Sequence, residues 1–360
     1  MHMADALISP AVGGTMWAAS AGLAAWSAHK LKKEMSETKT PMMGVLAAFV
    51  FAAQMINFTI PGTGSSGHLA GGLILAILLG PYAAFLAMFS ILTVQALFFA
   101  DGGLLALGCN VFNMGFWACF VAYPLIFRKI AGDRPGRGRL IAGATLAGVV
   151  ALQLGAFGVV LETLFSGISE LPFGTFVLLM QPIHLAIGIV EGLVTAALVA
   201  FVWKARPELV APAASADPAV RPASVRPVLA TFAVLALVTG GFLSWFASAH
   251  PDGLEWSMGR TSGKEELEAP AGGVHGKLAA LQEKTAFLPD YDFKSGDNAA
   301  AEAASPGQPA PAEANEPEEQ PESWPAVSAG NSLSGILGGA IVLALAGMIG
   351  LSLRFFRRTD

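Results

Sequence analysis

Charge is what this chain has least of. Only 13 % of its 360 residues are Asp, Glu, Lys or Arg and 54 % are hydrophobic, whereas a soluble domain carries about 25 % charged residues. That balance excludes an ordinary water-soluble enzyme and marks an integral membrane protein. Cysteine is almost missing too: Cys109 and Cys119 stand ten residues apart, about 15 Å along a helix, which is too far for a disulfide. No H-E-x-x-H and no C-x-x-C occurs, which removes the common zinc spacings. Gly263-Lys264 and Gly276-Lys277 lack both the earlier glycine and the following Ser or Thr of a phosphate-cradling loop, so ATP hydrolysis by that route is excluded. The net charge of -5 argues against a nucleic-acid partner.

In place of charge the sequence has long apolar runs. They predict membrane helices near 11–28, 43–60, 81–100, 104–127, 139–165, 176–203, 228–248 and 335–352. A ninth, shorter run at 68–80 stops at Gly80-Pro81. Loop charge decides whether it counts, because cytoplasmic loops collect Lys and Arg. With nine spans and the N-terminus outside, 16 of the 21 basic residues fall on the inside. The other five lie in one long loop, 249–334, which also holds 15 of the 26 acidic residues; long loops cross the bilayer largely regardless of charge. No basic region precedes the first run and further spans follow, so Met1 is expected to remain on the protein. The expected fold class is an all-α integral membrane protein: a seven-helix bundle over 1–206, a cytoplasmic Pro/Ala linker over 207–227, and a two-span domain over 228–360 around the outer loop 249–334. Within that loop about 295–330 is rich in Ala, Pro and Glu and is expected to be disordered.

Ionisable residues inside spans are costly and therefore informative. Glu162, His184 and Glu191 are embedded, while His2, Asp5, His68 and Asp101 fall at the outer ends of spans. His184 and Glu191 are seven residues apart, on one helix face, and read as a hydrogen-bonded structural pair, with a proton or metal relay as the alternative. The start of the chain says more. Met1 amine, His2 amide and His2 imidazole are three successive nitrogens that close fused five- and six-membered chelate rings on one metal ion if the amide loses its proton. Planar nitrogen donors suit Ni(II) or Cu(II) better than Zn(II). His68, in the glycine-rich outer turn Gly62-Thr63-Gly64-Ser65-Ser66-Gly67-His68, supplies a fourth donor on the same side. Binding of this kind weakens as pH falls, because the donors must shed protons to ligate.

Met1-His2 with Asp5, the turn Gly64 to His68 with Gly71-Gly72, the block Gln95 to Gly115, and His184 to Gly192 occur in this order. Together they resemble the nickel/cobalt substrate-binding (S) component of energy-coupling-factor transporters, over roughly residues 1–205. The resemblance implies seven helices, an N-terminal stretch inserted into the metal site, and ligation by Met1, His2 and His68. Family members commonly begin Met-His-Ile-Pro-Asp-Gly-Phe; here Met3, Ala4, Ala6 and Leu7 replace the Ile, Pro, Gly and Phe, so the strand must be fixed by other contacts. His250-Pro251-Asp252-Gly253-Leu254-Glu255 is similar to the PDGLE motif of a small accessory component associated with nickel uptake. A solvated acidic loop is the other reading of that segment.

The implied function is high-affinity Ni(II) capture at the outer face of the bacterial inner membrane, multi-pass, with the C-terminus cytoplasmic. ATP-binding subunits and a transmembrane coupling (T) subunit would be its partners, besides the lipid bilayer, and the chain itself would not be an enzyme. The alternatives are a Co(II) uptake component and a gradient-driven carrier using His184 and Glu191. Small residues four apart in the sixth span, Gly143 with Ala147 and Ala144 with Gly148, hint at close helix packing.

Overall fold

The structure, a computed structural model, describes residues 1–133, 135–210, 224–294 and 324–357. In order, its main helices are α1 (Pro10–Glu34), α2 (Lys39–Gln54), α3 (Gly72–Leu79), α4 (Pro81–Phe98), α5 (Leu107–Ala131) and α6 (Arg137–Ser166). They continue as α7 (Phe173–Ala205), α8 (Arg226–Gly241), α9 (Gly253–Ser262), α10 (Gly273–Thr285) and α11 (Ala329–Arg357). One hairpin, β1 (Phe58–Ile60) with β2 (Ser65–Gly67), interrupts them. Of the described helices, α4, α5, α6, α7 and α11 are long and apolar enough to cross a membrane. Leu178 and Phe165, each 72 % exposed, belong to the apolar outer surface that lipid would cover.

Local chemistry sets the ends. Ser9 caps α1, its hydroxyl accepting from the Val12 N–H at 3.4 Å with Pro10 in the first turn, and Lys32 and Lys33 close the last turn. The run predicted as 43–60 is helical only to Gln54, because the chain then turns into a hairpin whose tip carries Gly62 and Gly64 at φ +78° and +76°. The run 228–248 likewise ends as an α-helix at Gly241 and tightens into a 3-10 turn over Leu243–Phe246. The short run 68–80 contains only the eight-residue α3, every residue of it buried in protein. Residues 68–71 ahead of it have no regular structure, with Gly71 at φ +75°, and this non-helical backbone is tolerated because Gln54 and Glu191 satisfy it within the protein. The segment 295–323 and the linker residues 211–223 lie outside the described residues; the chain resumes at Trp324 and α11 begins at Ala329.

Small residues bring helices together where no hydrophobic driving force exists between them and lipid. A side chain added at Gly192 of α7 would stand 2.4 Å from the Thr145 Cα of α6, and one at Gly148 would stand 3.0 Å from the Gly192 backbone. The small residues of α6 are therefore used within the protein: Ala144, Ala147 and Gly148 are buried, the last against α7, and Gly143 faces Phe127 and Ile130 of α5. The close helix packing that their spacing hints at is thus the packing of α6 on α7 and on α5. On the other side, α8 and α11 meet at Gly240 and Gly335, and both pack on α2, through Phe232 on Phe49 and Leu343 on Gly44. Gly192→Leu should force α6 and α7 apart and destabilise the protein by about 1–3 kcal/mol, which a lowered melting temperature in detergent would register.

Candidate metal site

Residues 1–9 precede α1, with Met1, Met3, Leu7 and Ile8 buried. The Met3 N–H donates to Asn110 Oδ1 at 2.8 Å, and the Met3 carbonyl accepts from the Gly103 N–H at 2.9 Å. Asp5 Oδ1 accepts from the Ala106 N–H at 2.9 Å, and the His275 ring of α10 bonds the Ile8 carbonyl at 2.8 Å. These contacts hold the strand that Met3, Ala4, Ala6 and Leu7 cannot stiffen themselves. The conspicuous block after Gln95 is thereby explained as the cradle of the N-terminus.

The structure brings together Met1, His2 and His68, the three residues singled out from the sequence. The His2 and His68 rings stack with centroids 5.1 Å apart and planes 20° from parallel. Their tautomers follow from their partners. Gln54 Nε2 donates to the Ala70 carbonyl at 2.8 Å, so Gln54 Oε1 is left to accept from Gln95 Nε2 at 2.9 Å. Gln95 Oε1 must then accept from His2 Nε2 at 3.3 Å, which places the His2 proton on Nε2 and a lone pair on Nδ1. Nδ1 is the nitrogen able to close a six-membered ring with its own amide. It faces Asp101 Oδ1 at 3.3 Å, whose other oxygen accepts from the Tyr291 hydroxyl at 2.5 Å. His68 donates Nδ1–H to the Leu69 carbonyl at 3.1 Å, leaving Nε2 as a buried lone pair without a partner. Burial, reinforced by the neighbouring terminal ammonium, holds His2 down to about 3 and His68 down to about 4, so both rings are neutral.

The segment with the PDGLE pattern closes over these groups. Asp252 caps α9 in a reciprocal box, Oδ1 accepting from the Leu254 and Glu255 N–H groups while Glu255 Oε2 accepts from the Asp252 N–H. Asp252 Oδ2 accepts from the Met1 ammonium at 3.0 Å. Burial alone would raise the Asp252 carboxyl, but the ammonium, His68 and the cap bonds outweigh it and hold it well below the usual carboxylate range. The Pro251 carbonyl accepts from the Ser66 N–H at 2.8 Å, and Trp256 Nε1 donates to the Thr63 carbonyl at 3.0 Å, so the segment is tied to the hairpin that carries His68. Gly253 sits on α7 where a Cβ would be 2.7 Å from Ile183 and 3.1 Å from His184. A cavity of about 450 Å³ opens beside the rings, lined by His2, His68 and Asp101 and by Asp252, Glu255, Glu265, Glu266 and Asp290. No lysine or arginine stands among its described lining residues. Sequence reasoning left the solvated-loop reading of this segment open; the structure puts Asp252 in the site.

Of the embedded residues, Glu191 and Glu162 are engaged by other groups, while His184 lines a small cavity together with Met1, His68 and Asp252. His184 bonds the Met180 carbonyl through Nδ1 at 2.8 Å, and Glu191 accepts from the Ala70 and Gly71 N–H groups at 2.8 and 3.1 Å. The expected His184–Glu191 pairing is thus corrected: each has a nearer backbone partner. His184 Nε2 is buried without a partner. Glu162 accepts from Asn113 at 2.6 Å. Cys109 and Cys119 are both free and buried. Among the described residues no three His, Cys, Asp or Glu side chains converge as a metal cluster.

The two imidazoles give the metal-free site a definite pH dependence. Their pKa values are lower folded than the ordinary 6.5, so the stabilisation they report is complete above about pH 6.5 and is lost as pH falls through 4 towards 3. Glu255, raised by burial and by Asp252 to about 7, acts in the opposite sense, its share being lost as pH rises through 7. Between pH 6.5 and 4 the wild-type metal-free protein should therefore lose melting temperature relative to a His2→Gln, His68→Gln double variant, the difference being the share that the two imidazoles carry.

Residues 2–209 match the family described as the cobalt uptake substrate-specific transmembrane region, CbiM, and residues 226–355 match the PDGLE domain. The chain is 33 % identical to the fused nickel transport protein NikMN of Rhodobacter capsulatus, over 81 % of this chain and 88 % of that one. It is 31 % identical to the cobalt transport protein CbiM of Sorangium cellulosum, over 58 % of this chain and 94 % of that one. A crystal structure of a transition metal transporter superposes with a TM-score of 0.51 at 31 % identity, covering 57 % of this chain and 93 % of the other. The chain is a multi-pass membrane protein of the CbiM family, an energy-coupling-factor substrate-binding component of the nickel and cobalt transport group, fused to a PDGLE accessory domain.

Proposed function

We propose that this protein captures Ni(II) at the outer face of the membrane, as the substrate-binding component of an ATP-driven importer. The ligands in this reading are the Met1 amine, the His2 amide and Nδ1, and His68 Nε2. One observation carries it: hydrogen bonds to Gln95 and to Leu69 commit the opposite nitrogens of the two stacked rings, leaving a lone pair on His2 Nδ1, which faces Asp101, and an unpartnered one on His68 Nε2. An amide nitrogen that ionises only for the metal favours a planar ion such as Ni(II). Co(II) is the second reading, supported by the likeness to cobalt transport proteins. The fused PDGLE domain and the likeness along most of the chain to a fused nickel transport protein favour nickel. A carrier relay through His184 and Glu191 lacks support, since those side chains bond to separate backbone groups.

The accompanying architecture is seven spans over 1–206, a linker over 207–227 and two further spans over 228–360, with the N-terminus outside and the C-terminus cytoplasmic in a bacterial plasma membrane. Loop charge supports it. ATP-binding subunits and a coupling subunit would drive inward release. A C-terminal reporter should read cytoplasmic; periplasmic activity would reverse the orientation.

His2→Ala opens the chelate and His68→Ala removes the fourth donor, so each should abolish tight nickel retention without preventing membrane insertion, whereas His184→Ala should not abolish it. An uncleaved residue added before Met1 converts the amine to an amide and should be as damaging, while a C-terminal tag should be tolerated. Nickel stoichiometry on the purified proteins measures all five. Full occupancy in the N-terminally extended protein would remove the terminal amine from the ligand set. Proton release on nickel binding, read by calorimetry in buffers of different ionisation enthalpy, supplies an independent check: with both rings already neutral, the protons should come from the ammonium and the amide.

A further inference from the structure

We infer that Asp252 of the PDGLE segment is the positioning residue of the terminal amine, so that the accessory domain supplies the outer-sphere partner of the metal site. The inference rests on the ligand reading above. Asp252 divides its two oxygens between two tasks. Oδ1 is fully used by the Leu254 and Glu255 N–H groups at 2.7 and 2.9 Å, which locks the carboxylate to the start of α9. Oδ2 is thereby aimed at the Met1 nitrogen at 3.0 Å, with the two groups only 14 % and 4 % exposed.

Each residue of the motif has a part in this placement. The Pro251 carbonyl takes the Ser66 N–H, two residues before His68, which sets the segment in register with the hairpin. Gly253 is small because Ile183 and His184 leave no room for a side chain, so α9 begins in contact with α7. Leu254 is buried beneath it at 2 % exposure. Glu255 completes the cap by accepting from the Asp252 N–H at 2.9 Å. The result is a carboxylate whose position is fixed from the accessory side and whose free oxygen meets the first atom of the chain.

An amine bound to a metal keeps two N–H groups, and a carboxylate accepting one of them fixes the direction of the nitrogen lone pair, as outer-sphere carboxylates do for metal-bound imidazole. Charge points the same way. A divalent ion with one ionised amide and three neutral donors leaves a single positive charge in a buried site, and Asp252 places the compensating negative charge against it. The Asp252–amine contact is therefore kept, not broken, when nickel is held.

Asp252→Asn separates this role from simple capping, because asparagine caps helices as well as aspartate does but turns an amide or an uncharged oxygen towards the amine. Asp252→Ser caps through a shorter side chain and serves as the second variant. Nickel affinity of the full chain in detergent, by competition with a chromophoric chelator, is measured beside metal-free melting temperature and beside His68→Ala. The expected result is a folded, cooperatively melting metal-free protein in both Asp252 variants, less stable only by the lost ion pair, with nickel held about 10- to 100-fold more weakly, the planar Ni(II) absorption broadened or shifted, and binding lost in His68→Ala. Wild-type or tighter affinity in either folded Asp252 variant, with His68→Ala still inactive, overturns the positioning role and leaves the ligand set standing. Weak binding only in a variant that no longer melts cooperatively assigns Asp252 to folding and equally overturns it. Unimpaired binding in His68→Ala fails the ligand reading itself, and the inference with it.

Discussion

One hydrogen-bond chain positions both imidazoles. It runs from the His2 ring to Gln95, from Gln95 to Gln54, and from Gln54 to the Ala70 carbonyl. Both glutamines are buried, so neither can turn to water, and reversing any amide would face donor against donor or acceptor against acceptor. The only donor free to rotate into the chain is the one His2 provides, and the chain's far end fixes the backbone two residues beyond His68. A change at Gln54 would therefore be felt at both rings although it touches neither. Glu191 secures the same backbone from the other side, taking the Ala70 and Gly71 N–H groups that no helix satisfies.

What could be read from the sequence was what lies close together in it. Met1 and His2 form a chelate by adjacency, the apolar runs announce most of the helices by length, and Asp252 with Glu255 three residues on has the pattern of a helix cap. Gln54 and Gln95 gave no such signal, since a glutamine in an apolar run has many explanations and their pairing is set by how α2 and α4 pack. The Met1–Asp252 contact spans 251 residues and was likewise out of reach. His184 and Glu191 do share a helix face, but sharing a face does not choose a partner: the Met180 carbonyl one turn back is nearer for one, and the open backbone at 70–71 captures the other. The ends of α2 and α8 were overrun because hydropathy continues through Phe58 and Phe242 while the backbone has already turned.

In the proposed reading a site for a divalent ion is poor in charged ligands. The two rings are neutral by burial, and carboxyl groups stand around them: Asp101 facing His2 Nδ1, Asp252 against the amine, and Glu255, Glu265, Glu266 and Asp290 around the adjoining cavity. Their negative charge would attract a cation into a low-dielectric pocket. Donors of neutral nitrogen then select among cations by geometry, which hard carboxylate ligands would not do. Most of these carboxylates come from the accessory domain, so the charge that draws the ion and the nitrogens that hold it arise from different parts of the chain.

That division makes the covalent linkage mechanically sensible. A single buried ion pair contributes little net affinity between separate molecules, because each partner must lose its hydration first. Here the pair does not have to recruit its own partner. The helices α8 and α11 are already seated on α2 through Phe232, Gly44 and Gly338, and the latter allows no side chain beside Phe51 and Phe99. Trp256, Gln282 and His275 then fasten the loop at Thr63, at Ala96 and Gly102, and at Ile8. With the loop held at those points, Asp252 reaches the amine as an intramolecular partner at high effective concentration, and the weak contact becomes a persistent one.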